Sequence, residues 1–203
     1  MRFVGDQLVA LLVAVSFAAG INVYATVATL GLLAHTGVIA LPGSLHVLGS
    51  WWVIAASSAL FAVEFFADKI PGFDLIWNSL HTFIRIPVAA LLAYQATSGL
   101  SPVQQMAAAA AGGAIALVAH GGKTAARAAV TPSPEPFSNM ALSLGGDALS
   151  ISLTWLATKH PYLAAAIVAV LIVVTILLVR WVWRSLRALF RRGKQALEGA
   201  GSP

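Results

Sequence analysis

The sequence predicts an all-α fold, a polytopic transmembrane helical bundle of about six spans, and three observations carry that prediction. Of 203 residues, 59% are hydrophobic and only 9% are Asp, Glu, Lys or Arg, whereas soluble domains carry roughly 25% charge. The mean hydropathy is +0.87. Apolar runs near the roughly 20 residues of one bilayer crossing recur along the chain, and Gly and Pro clusters separate them. At that length per crossing no room remains for a soluble catalytic domain, so no enzymatic activity is expected. The absence of cysteine removes disulfides, thiolate metal sites and Cys nucleophiles. The net charge of +5 is not a nucleic-acid signature, because six of the twelve basic residues, Arg180, Arg184, Arg187, Arg191, Arg192 and Lys194, follow the last apolar run as a topological anchor.

The first span covers residues 7–35, with Gly20 and Asn22 interrupting its middle. A cleaved signal peptide ending near Gly20 is the competing reading, opposed by the apolar pattern that continues from Ile21 to Leu33. A Gly- and Pro-containing loop without Lys or Arg leads to Trp51 and Trp52, an aromatic interface mark, and a second span runs to Ala67. Pro71 and Gly72 break the chain, and the third span, residues 73–96, contains Pro87, which removes a helix hydrogen bond close to Arg85. The fourth span, residues 102–127, begins with an Ala- and Gly-rich half suited to close helix packing in lipid. Pro132, Pro134 and Pro136 then forbid a regular helix, and the fifth and sixth spans cover residues 137–157 and 161–182. Residues 1–183 thus read as one transmembrane domain and residues 184–203 as a basic, amphipathic cytoplasmic tail facing anionic lipid.

With six spans, the positive-inside rule puts both termini in the cytoplasm, with Arg2, Lys69, Lys123, Arg127 and the tail inside and Lys159 outside. Spans two and three and spans four and five then form similar hairpins: Lys69, Pro71 and Asn78 in one, Lys123, the prolines and Asn139 in the other. That pattern suggests an internal repeat about an axis along the membrane normal.

The chemistry gathers between Glu64 and Pro87. Asp74, Asn78, His81 and Arg85 share one helical face, and Asn139, Ser143 and Asp147 repeat every four residues on the fifth span. A charge at mid-bilayer costs roughly 2.5 to 3.5 kcal/mol, so Arg85 and Asp147 should be paired or should line a wet cavity. His81 and His120 could join the acids around a divalent metal, but no spacing such as HExxH fixes one. Gly121-Gly122-Lys123-Thr124 ends like a phosphate loop, yet position 117 is Leu and no strand precedes it. No spacing supports an intramembrane enzyme.

The motifs ADKIPGFD and HTFIRIP, followed by His120, Lys123, Arg127 and then SPEPFSN and LSLGGD, resemble the bacterial membrane proteins catalogued as domain of unknown function 4126 over about residues 8–178. The resemblance implies a small polytopic inner-membrane protein. It also implies an acidic pair where this chain has Gly146-Asp147, so that Asp147 stands alone here.

The expected function is a small transporter or channel-like protein with a charged intramembrane cavity for an anion or lipid phosphate. Its site would comprise Lys69, Asp74, Asn78, His81, Arg85, His120, Lys123, Arg127, Asn139 and Asp147, with no cofactor and no metal. The helix N-termini of the third and fifth spans, beside Lys69 and Lys123, favour a negative ligand. A structural or accessory membrane protein and a cation or metal transporter are the alternatives. Expected partners are membrane lipids, anionic ones at the tail, and further copies of the chain, but no nucleic acid.

Overall fold

The computed structural model describes residues 5–70, 73–130 and 136–200. The expectations placed on Pro71, Gly72, Pro132, Pro134 and Glu135, and on the side chains of Asp74, Asn139, Arg192 and Lys194, lie outside the described residues. Among the described residues seven α-helices follow one another: α1 (Gly5–Ile21), α2 (Val23–His35), α3 (Trp51–Ala67), α4 (Phe73–Ala96), α5 (Pro102–Val130), α6 (Pro136–Lys159) and α7 (Pro161–Ala200). A 3₁₀ helix, Gly43–Gly49, joins α2 to α3. No strand occurs among the described residues.

Four stretches, Ile76–Ala96, Pro102–Val130, Met140–Lys159 and Pro161–Ala188, are long and apolar enough to cross a bilayer, and α1, α2 and α3 are shorter apolar helices. The polarity runs inside out. Trp52, Phe83 and Val103 are exposed, while Arg85 and Glu64 are 0% exposed, as expected of a helical membrane bundle that hides its charges from lipid.

Packing is close where side chains are missing. A Cβ on Gly20 would stand 2.4 Å from the Ala116 carbonyl oxygen, and one on Gly112 would stand 2.8 Å from the Ala93 methyl. These glycines let α1, α4 and α5 approach backbone to backbone, the packing role expected of the small-residue half of α5.

The first apolar stretch departs from expectation. Asn22, with φ −146° and ψ 103°, ends α1 and caps α2. The last hydrogen bond of α1 runs from the Asn22 N–H to Ala18, and the first of α2 from the Thr26 N–H to Asn22. No bond ties one helix axis to the other, so the direction is read from contacts. Near the start of α1, Asp6 accepts from the Tyr162 hydroxyl at 2.7 Å, and Gly5 and Leu8 share a cavity wall with Thr97, Leu100 and Gln104. Its end, Gly20, packs on Ala116 and Ala119. α1 therefore runs parallel to α5, inward from the end of the bundle that holds the α4–α5 and α6–α7 turns.

α2 returns to that same end. His35 lies 4.4 Å from the Trp51 ring and bonds the Gly49 carbonyl at 2.9 Å, and Ser44 bonds Gln95 in the last turn of α4. α1 and α2 are thus the two arms of a re-entrant hairpin whose apex, Ile21–Asn22, lies inside the bundle.

This corrects one expectation. Residues 7–35 are not one crossing but a hairpin whose two arms start and finish at the same end of the bundle, while α4 to α7 supply the four stretches long and apolar enough to cross. The start of α1 lies at the end of the bundle opposite to the one α7 runs toward. The physical reason is length: 17 and 13 residues rise about 26 and 20 Å, each less than the roughly 30 Å of hydrocarbon. α7 is one continuous helix of 40 residues, about 60 Å long, and it passes residues 183–184 without a break.

Candidate functional site: a buried charge cluster at the hairpin apex

The apex interrupts the helical hydrogen-bond ladder in the middle of the bundle, a geometry tolerated only where protein surrounds it. Asn22 answers part of the need itself, since its Oδ1 accepts from the Ala25 N–H at 2.9 Å. Thr26 Oγ1 donates to the Asn22 carbonyl at 2.9 Å, and Ser150 Oγ on α6 donates to the Ala18 carbonyl at 2.8 Å. The Ile21 carbonyl accepts from the Lys123 ammonium on α5 at 3.2 Å.

Lys123 is also the hub of the charges. It lies 3.5 Å from Glu64 Oε1 and 3.2 Å from Asp68 Oδ2. Glu64 is ion-paired with Arg85 on α4. Asp68 Oδ2 is further ion-paired with Arg127 Nη2 at 2.6 Å and accepts from Ser143 Oγ at 3.3 Å. One oxygen of each carboxylate therefore gathers the donors, and Glu64 Oε2 and Asp68 Oδ1 have no hydrogen-bond partner.

Arg85 fixes its neighbours' proton positions. Its Nη1 donates to Asn78 Oδ1 at 3.2 Å and to His120 Nδ1 at 3.0 Å. A guanidinium cannot accept, so His120 Nδ1 is the acceptor and Nε2 carries the proton toward Thr82 Oγ1, 2.7 Å away. His120 is thereby held neutral. His81 has the opposite tautomer, since Nδ1 donates to the Trp77 carbonyl at 2.7 Å and Nε2 faces the Tyr24 hydroxyl at 3.0 Å.

Of the residues singled out from the sequence, Asn78, Arg85, His120, Lys123 and Arg127 come together, with His81 one turn away against Tyr24. Lys69 does not join them. Its ammonium folds back on the Phe65 carbonyl at 2.8 Å, at the C-terminal end of α3, where a cation is favourable. Arg85 and Asp147 do not pair with each other: Arg85 takes Glu64, and Asp147 Oδ1 accepts from Asn22 Nδ2 at 2.8 Å. Periodicity on the fourth and sixth helices could not reveal this, because both partners lie on other elements. Glu64 and Asp68, noted as charges and as acids that could join a metal, are the acids of the cluster. Thr26 and Ser150 escaped notice, and Asn22 was read only as an interruption of the first span, although an Asn between two apolar runs too short to span was the available signal.

Two cavities border the cluster. A crevice of about 290 Å³ between α5, α6 and α7 is lined by Leu142, Leu149, Val174 and other apolar groups, with Gly145 and Gly146, and by Ile21, Lys123 and Arg127. A recess of about 140 Å³ between α4 and α5 is lined by Asn78, Ser79, Thr82, His120, Thr124, Ala128 and Arg127, with no carboxylate in its wall among the described residues. Arg127 borders both. Among the described residues no three His, Asp or Glu side chains gather as metal ligands.

No curated protein and no solved structure matches the chain. A family model, Domain of unknown function (DUF4126), matches residues 9–181, which include the hairpin, all the cluster residues and the crevice. The chain is a helical membrane protein and belongs to that family.

Proposed function

We propose that this protein is a small carrier or channel-like membrane protein whose ligand is an amphiphile with an oxyanion head, such as a lipid phosphate. One observation carries the reading: the crevice between α5, α6 and α7 has mostly apolar walls, and two cations, Lys123 and Arg127, line it together with Ile21 of the hairpin apex. An acyl or isoprenoid chain matches the walls, and a phosphate matches the cations. The recess on the other side of Arg127 offers hydroxyl, amide and imidazole groups to the same kind of head. The re-entrant apex supports movement in addition to binding, since broken helices at mid-membrane are how transporters build sites that can open to either side. By the positive-inside rule, the end bearing Lys69, Arg127 and the arginines of α7 faces the cytoplasm.

Thermal unfolding of the purified full-length protein tests the reading. Anionic phospholipid in mixed micelles should raise the melting temperature more than zwitterionic lipid does. Sulfate at matched ionic strength separates a free anion from a headgroup. Stabilisation by Mg²⁺, Mn²⁺ or Zn²⁺ without any anion effect would contradict the proposal and favour a cation carrier.

A second reading rests on Arg85 and Glu64, both wholly buried and paired: the charges serve only to specify helix packing in a structural membrane protein. Indifference to every anion and cation in the same assay would favour it.

A further inference from the structure

We propose that Asp147 is a proton-binding site at the hairpin apex, and that its proton sets the charge of the cluster; the consequence for anion binding rests on the reading above. Asp147 is buried on α6. Its Oδ1 accepts from Asn22 Nδ2 at 2.8 Å, while Oδ2 has no hydrogen-bond partner among the described residues. Glu64 and Asp68 each hold cations within ion-pair distance, and no such pair is formed by Asp147 among the described residues.

The charges acting on Asp147 are Lys123 from α5 and Glu64 and Asp68 from the end of α3. Of these, Lys123 is already shared among Ile21, Glu64 and Asp68. α1 beyond Asp6 and α7 between Tyr162 and Arg180 carry no titratable side chain. On α2, Tyr24 turns to His81, and on α4, Arg85 turns to Glu64 and His120. A carboxylate with one bare oxygen in such a place is an unfavourable charge. A proton on Oδ2 removes it and leaves Oδ1 free to accept from Asn22.

A sodium ion fits less well. It would need several oxygens, and the carbonyls of Ala18, Ile21 and Asn22 are taken by Ser150, Lys123 and Thr26.

The proton changes the balance of the cluster. Arg85, Lys123 and Arg127 give three positive charges against Glu64 and Asp68, a net +1 when Asp147 is a neutral carboxyl and zero when it is ionised. An oxyanion is therefore favoured by the protonated state, and anion and proton bind together. Binding forms one O–H bond at Oδ2, release returns that proton to water, and nothing else is consumed.

The test uses the full-length protein in nanodiscs with ¹³C-aspartate and ¹⁵N-alanine. Asp147 is followed by Ala148, whereas Asp6, Asp68 and Asp74 precede Gln7, Lys69 and Leu75, so the Asp147 signal is selected without any substitution. Its carboxyl resonance should report a bound proton at neutral pH, and adding sulfate or anionic phospholipid at constant pH should raise the protonated fraction. A carboxyl fully ionised at neutral pH would overturn the proton site. A shift on exchanging choline for sodium at constant pH would replace the proton by a cation. A carboxyl that titrates but ignores both anions would overturn the coupling while leaving the proton site standing. A titration without lipid or sulfate needs no ligand, so its failure is separate from failure of the anion reading.

Discussion

Lys123 on α5 donates to the carbonyl of Ile21, the last residue of α1, at 3.2 Å, and the same ammonium sits 3.2 Å from Asp68. The apex of the re-entrant hairpin and the buried ion network are therefore held by one side chain, and neither can move without the other. Lys123→Gln should destabilise the protein by about 3 to 5 kcal/mol, because Asp68 and Glu64 lose a cation inside the bundle. Lys69→Gln should change stability by less than about 1 kcal/mol, since among the described residues the Lys69 ammonium bonds its own helix end. Thermal unfolding of the two variants side by side checks this, and equal losses would contradict it.

Glu64 and Arg85 should behave as one unit. Singly, Glu64→Gln and Arg85→Met each strand a buried partner and cost about 3 to 5 kcal/mol. The double variant should lose clearly less than the sum of the two. Additive losses in a double-mutant cycle would mean that the pair does not form.

Two glycines should respond oppositely to the same change. Gly20→Ala drives a methyl against the Ala116 carbonyl and should cost about 1 to 3 kcal/mol. Gly145→Ala meets nothing within 4 Å and should leave the melting temperature unchanged. The reverse order would show that α1 does not lie on α5 as described.

The topology is open to a clean labelling experiment because the chain has no native cysteine. Gln7→Cys, Ser44→Cys and Ser98→Cys should react with a membrane-impermeant maleimide from one face, and Arg187→Cys from the other. Labelling of Gln7→Cys from the same face as Arg187→Cys would restore a first helix that crosses.

Much of this was legible in the sequence, for physical reasons. The helices α3 to α7 follow from apolar runs bounded by Pro, Gly and Trp, because span length and interface chemistry are local properties. The polar faces holding Asn78, His81 and Arg85, and Ser143 and Asp147, follow from helical periodicity, and the structure buries both. Two things were not legible. The pairing of Arg85 with Glu64 joins residues 21 apart on separate helices, and periodicity within one helix carries no information about such a partner. The turn at Asn22 is a single residue, and the 17 and 13 residues of the helices on either side of it read equally well as one tilted span. Only the contacts of His35 with Trp51 and of Asp6 with Tyr162 decide that question.

The crevice lined by Lys123 and Arg127 is most directly tested by native mass spectrometry of lipid retention with Gly145→Leu, a side chain placed into the open space of the crevice wall. The wild-type protein should retain an anionic phospholipid in preference to a zwitterionic one, and Gly145→Leu should lose that preference at an unchanged melting temperature. Equal retention of the anionic lipid by wild type and Gly145→Leu would contradict the site.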